Sequence, residues 1–204
     1  MYAELKSLFL RCLDADYLHT EKKGSFACER EGDVLYLLFE GSNGAEDWRN
    51  NLSFSPVSHE GAEQSWMCHG GFLGVWLSIL PFIEGEINDE KVRKIICCGF
   101  SHGGAISALA HEHVWYSRPD LREVNAGFGF GAPRIFFGRC ENGCARRWER
   151  FFVIRNDNDA VTHLPPSILG FSHVGHIYQI GDGSTNAIEA HFPESYIKSL
   201  SSGE

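Results

Sequence analysis

Apolar positions recur along the chain in two registers. Residues 34–39 (Val-Leu-Tyr-Leu-Leu-Phe) and 94–100 are short, nearly continuous apolar runs, the pattern of strands buried on both faces. Residues 124–130 form a Gly-rich strand candidate, 151–155 a strand running into the polar stretch 156–159, and 173–180 a further strand. Helical patterns lie between them. Residues 72–83 are apolar nearly all round and long enough for a buried helix. Residues 103–116 carry Ala105, Ile106, Leu109, Ala110 and His113 at helical spacing, and 193–200 read as a last helix. At the start, an apolar patch broken by Glu4, Lys6 and Arg11 suits an amphipathic helix. A further helix is expected before residue 151, with Arg146, Arg147 and Arg150 on its solvated face. Apolar strands alternating with helices predict a mainly parallel central sheet with helices on both faces. In such sheets ligands bind beyond the carboxyl ends of the strands.

Composition narrows the class. The 204 residues, 43% hydrophobic and 22% charged, fit one domain over residues 1–204, and no repeat or linker-like break divides them. A net charge of −9 argues against nucleic acid and anionic membrane surfaces, which need clustered Lys and Arg. No secretory signal is visible, and the longest apolar run, 72–83, is too short to span a bilayer and contains Pro81, so no transmembrane segment is expected. Of the seven cysteines, Cys97 and Cys98 fall in a buried strand; with no signal, they read as reduced thiols of a cytoplasmic protein. Cys140 and Cys144 lack a second ligand pair, and His111 and His113 are spaced wrongly for one helix face, so no metal site is expected.

Gly99-Phe100-Ser101-His102-Gly103 matches G-x-S-x-G between the strand 94–100 and the helix that follows. That context is what the chemistry requires. A tight strand-to-helix turn holds Ser101 in a strained conformation with its hydroxyl exposed, and glycines two positions either side let the backbone fold past. The helix N-terminus adds partial positive charge where an oxyanion develops.

Several segments then resemble the class 3 lipase family, typified by fungal lipases. Phe39-Glu40-Gly41-Ser42, with Asp47-Trp48 and Asn51-Leu52, resembles its oxyanion strand and the segment after it. His69-Gly70-Gly71-Phe72 resembles its H-x-G-F helix start, Gly99 to Gly104 its nucleophile elbow, and Phe130-Gly131-Ala132-Pro133-Arg134 its F-G-x-P-R strand end. Asp159-Ala160-Val161-Thr162-His163-Leu164-Pro165-Pro166 resembles its acid loop. The likeness runs from Phe39 to His191 in the family's order. Glu40 stands where many relatives carry a basic residue, Thr162 where they often have Pro, and the chain is shorter than the secreted fungal enzymes. The resemblance implies an α/β-hydrolase fold and a serine hydrolase cleaving carboxylic esters, a lipase or acyl-lipid esterase that needs no cofactor.

In this fold the acid and then the base follow the serine. Asp157 and Asp159 both follow the strand 151–155, and position alone leaves them open; the acid-loop resemblance selects Asp159, leaving Asp157 to brace its loop. Four histidines follow. His163 lies in the acid's own loop, and His173 and His176 open or lie inside a strand whose start is on the wrong edge. His191 follows the turn-rich residues 181–184 and precedes the last helix, as the family's catalytic histidine does; His173 is the alternative. The expected triad is Ser101, Asp159 and His191, with the N–H groups of His102 and Ser42 as oxyanion donors. Residues 44–54 occupy the place of the family's lid, and a mobile lid and a short helix packed on the core both fit them. Within enzymes the alternative is a small-molecule esterase or thioesterase; outside them, a non-catalytic binding protein on the same scaffold.

Overall fold

The computed structural model describes residues 1–22, 24–41, 55–60, 65–138 and 146–203. Helix α1 (Tyr2–Asp14) buries the stripe Leu5, Leu8, Phe9 and Cys12, the amphipathic face expected of it. Strands β1 (Leu18–His19), β2 (Ser25–Glu31) and β3 (Val34–Phe39) follow. A hairpin, β4 (Pro56–Glu60) with β5 (Ser65–His69), leads into helix α2 (Gly70–Ile87), strand β6 (Lys94–Phe100) and helix α3 (His102–Ser117). The chain continues through β7 (Ala126–Phe130), β8 (Phe136–Phe137), β9 (Phe151–Asn156), β10 (Phe171–Ser172) and β11 (His176–Ile180) to helix α4 (Pro193–Ser202).

Among the described residues the main sheet runs β1-β2-β3-β6-β7-β9-β11. From β3 to β11 every neighbouring pair is parallel; β1 and β2 add an antiparallel edge. Adjacent residues of one strand serve opposite faces, as the pleat dictates. Leu37 and Cys97 join the core beneath α2 and α3, while Leu38 and Cys98 join the core beneath α1 and α4. This is the α/β-hydrolase arrangement of helices on both faces. A second, antiparallel sheet, β10-β8-β5-β4, lies apart from it.

Three expectations change. Helix α2 has 18 residues, not the twelve-position run read from its apolar stretch, and is long and apolar enough to cross a membrane by length and composition. Phe72, Leu73, Trp76, Ile79, Ile83 and Ile87 nevertheless pack in the core over the sheet. The basic residues before β9 do not form a solvated helix face. Arg146–Trp148 is a single 3-10 turn, and Arg147, only 2% exposed, pairs with the equally buried Glu112 of α3. The last strand starts at His176, because Gly175 turns the chain at φ +69° just before it.

Candidate active site

The carboxyl edge of the parallel strands brings together Ser101, His102, Asp159 and His191. Ser101 sits between β6 and α3 at φ 54°, ψ −121°, a left-handed conformation rare for a residue with a side chain. The neighbours make it affordable: a Cβ on Gly99 would overlap the carbonyl of Gly103, and one on Gly103 the carbonyl of Phe39. The Ser101 N–H donates to the Phe130 carbonyl (2.8 Å), tying the elbow to β7. His102 opens α3, so its N–H belongs to the first helical turn, whose donors no helical carbonyl takes.

Asp159 follows β9 and caps the 3-10 turn Ala160–His163, its Oδ1 accepting the Val161 N–H (2.9 Å). Its Oδ2 lies 2.8 Å from His191 Nδ1, and the His191 Nε2 lies 2.9 Å from Ser101 Oγ. A buried carboxylate only accepts, so Nδ1 carries the ring proton and Nε2 turns its lone pair to the serine. Tyr196, fully buried on α4, donates its hydroxyl to the same Oδ2 (2.6 Å) and accepts the Asn156 N–H (3.2 Å). Burial and the Asp159 charge hold that phenol well above its ordinary pKa, so it stays a donor. Tyr196 was not anticipated; within an amphipathic helix its aromatic ring reads only as part of the apolar stripe.

The rejected candidates have other tasks. Asp157, at φ 44°, turns its carboxylate into the next loop, accepting the Gly183 N–H at Oδ1 (2.7 Å) and the Thr185 N–H at Oδ2 (3.2 Å). His173 holds the Thr162 carbonyl with Nε2 (2.7 Å), and burial pushes its pKa down to about 4. His163 and His176 are exposed. Ser42 and residues 44–54 lie outside the described residues, as do Cys140 and Cys144.

Beside the serine stands an aromatic wall. His69 stacks on Phe72 (centroids 4.1 Å apart), and Phe72 meets the His102 ring edge-on at 5.3 Å. Burial drives both imidazoles to a pKa of about 4, with each histidine's proximity to the other adding to the effect at His102. Both are therefore neutral at pH 7. Among the described residues no group of three His, Cys, Asp or Glu side chains is placed to hold a metal.

A serine on a strand-to-helix elbow, linked through an imidazole to a buried carboxylate beyond a parallel sheet, defines an α/β-hydrolase. The family described as Lipase (class 3) matches residues 36–168, and the chain belongs to it. The lipase of Rhizomucor miehei is 27% identical over 161 residues, covering 76% of this chain and 44% of that protein. Secreted mono- and diacylglycerol lipase 1 of Fusarium solani is 25% identical over 153 residues, covering 73% of this chain and 44% of its own length. The solved structure of the Rhizomucor miehei triacylglyceride lipase superimposes with a TM-score of 0.73 at 25% identity, over 83% of this chain and 66% of that one. The chain thus spans less than half the length of the curated relatives it matches. The family match stops at residue 168, before His191, which the sequence pointed to, and Tyr196, which it did not.

The secreted Fusarium solani relative overturns the expectation of a cytoplasmic protein. The cysteine argument behind that expectation has no physical force. Cys12, Cys68, Cys97 and Cys98 are buried free thiols packed as small hydrophobes, a role indifferent to compartment.

Proposed function

We propose that this chain hydrolyses carboxylic esters of acyl lipids, with Ser101 as nucleophile, His191 as general base and then general acid, and Asp159 as the carboxylate that orients it. The observation that carries this reading is the unbroken chain Ser101 Oγ–His191 Nε2 (2.9 Å) and His191 Nδ1–Asp159 Oδ2 (2.8 Å). Neutral His191 takes the Ser101 proton as Oγ attacks the ester carbonyl, and Asp159 stabilises the imidazolium that forms. The His102 N–H stabilises the oxyanion, with the Ser42 N–H as the second donor on the strength of the family motif; each such donor contributes about 3 kcal/mol in the transition state. The imidazolium returns its proton to the leaving alkoxide. Water, activated by the same histidine, then releases the acid.

An acyl-lipid substrate is supported by the surroundings of the base. Ile188 and Phe192, three residues before and one after His191 in the chain, are 71% and 51% exposed, apolar surface on the segment that carries the base. The test is hydrolysis of short- and long-chain nitrophenyl esters by the wild type and Ser101→Ala. The expected outcome is preference for the long chain and a loss of at least about a thousandfold in the variant. Unchanged turnover by Ser101→Ala would remove Ser101 from the mechanism.

A further inference from the structure

The last residue of β6, Phe100, precedes the nucleophile and lies face to face with the proposed base: its ring and the His191 imidazole are 5.0 Å apart, centroid to centroid, with planes 20° apart. The ring cannot easily drift. Phe9 of α1 meets it edge-on at 5.5 Å (73°), and Tyr196 of α4 meets it edge-on at 5.7 Å (74°). On a further side Gly41 leaves no room, since a Cβ there would stand 3.2 Å from Phe100 Cδ1. Phe9 is itself wholly buried against Phe130 and Tyr196. A buried aromatic cluster built from both terminal helices therefore ends on one face of the imidazole.

We infer that Phe100 is a positioning residue for the proposed hydrolysis, holding the His191 ring by its face and favouring the charged imidazolium over the neutral ring. The inference rests on the reading of Ser101, His191 and Asp159 as the triad. Hydrogen bonds fix the imidazole at its edge, Asp159 Oδ2 at Nδ1 and Ser101 Oγ at Nε2, but leave it free to tip about the line joining them. A stacked ring removes that freedom. An aromatic face is also electron-rich, and a cation within about 6 Å of its centroid is attracted to it. When the proton leaves Ser101 Oγ for His191 Nε2, as the Oγ–carbon bond forms, the neutral ring over Phe100 becomes a cation. The stack then strengthens in the transition state and not in the resting enzyme, which is the condition for raising kcat rather than merely tightening binding.

The role is separable from packing by changing the ring's electronics while keeping its shape. Phe100 is replaced by mono-, tri- and pentafluorophenylalanine, which progressively cancel the negative face. The expected result is a stepwise fall in kcat, reaching roughly threefold to thirtyfold at pentafluorophenylalanine, with KM and melting temperature nearly constant. Phe100→Leu, somewhat smaller and without a π face, falls with the fluorinated end of the series. A flat kcat across the fluorinated proteins overturns the inference. Ser101→Ala, assayed alongside, separates the two failures: a flat series with an inactive Ser101→Ala rejects only the role of Phe100, whereas an active Ser101→Ala rejects the triad.

Discussion

Asp157 and Asp159 stand two positions apart at the end of β9, and one backbone angle separates their tasks. The left-handed turn at Asp157 sends its carboxylate towards the N–H groups of Gly183 and Thr185, while Asp159 keeps the His191 side. The sequence made the strand end legible, and with it the neighbourhood of the acid. The choice between two aspartates depended on a local conformation that no composition reveals, and only the family resemblance decided it. Tyr196 was illegible for a related reason: its hydroxyl matters only because Asp159, 37 positions earlier, folds onto it. The two aspartates should therefore respond oppositely. Asp157→Ala is expected to lower unfolding free energy by about 0.5–1.5 kcal/mol, because the part-buried N–H groups of Gly183 and Thr185 lose their acceptor, and to leave kcat within a few-fold. Asp159→Asn should leave the fold nearly intact and lower kcat by about ten-thousandfold, through the wrong imidazole tautomer. Urea unfolding and ester kinetics on the two proteins check both; exchanged phenotypes would reverse the assignment.

The elements that were legible are those with dense apolar runs: β3 and β6 begin and end where the pattern puts them, and α3 differs by a residue at each end. Strand β2 and the second sheet escaped: β2 runs from Ser25-Phe26-Ala27-Cys28 into the polar Glu29-Arg30-Glu31, β4 is largely polar, and β8 and β10 have only two residues each, too few for a pattern to show. The second sheet is also tied to the buried pair of Glu112 and Arg147. Glu112 also accepts the Trp66 indole N–H (3.0 Å) and faces His59 Nε2 at 3.4 Å, so a single carboxylate on α3 gathers both strands of the β4–β5 hairpin and the turn before β9. With both charges 2% exposed, removing one strands the other without solvent. Glu112→Gln and Arg147→Met should each destabilise the fold by about 3–5 kcal/mol, and the double variant Glu112→Leu with Arg147→Met by less than either alone. Chemical denaturation measures this directly. A single variant within about 0.5 kcal/mol of wild type would make the pair no latch at all.

At the scale of the whole molecule, the layer order was legible because parallel strands covered on both faces must be apolar throughout, and their carboxyl edge then had to carry the chemistry. The compartment was not legible, since a buried thiol packs alike inside or outside a cell. Histidine burial carries a further consequence that composition alone conceals. His69, His102, His111 and His173 are each pushed by burial from about 6.5 to a pKa of about 4. At His111 burial outweighs the bond from its Nε2 to the Arg147 carbonyl (3.1 Å), which by itself favours the charged ring, while the Asn125 amide nitrogen stands 3.3 Å from Nδ1. In the unfolded chain these groups take up protons as pH falls through about 6.5, whereas in the fold they wait until about 4. Between those values the unfolded chain binds more protons, so stability falls with falling pH, by up to about 1.4 kcal/mol per pH unit for each histidine, and the histidine contribution levels off below 4. Urea midpoints should therefore be highest near pH 7.5 and drop steeply by pH 5, before most carboxylates titrate. His111→Gln should reduce the slope by one histidine's share even if it lowers stability at every pH. A midpoint unchanged between pH 7 and pH 5 would mean that these rings accept protons within the folded chain.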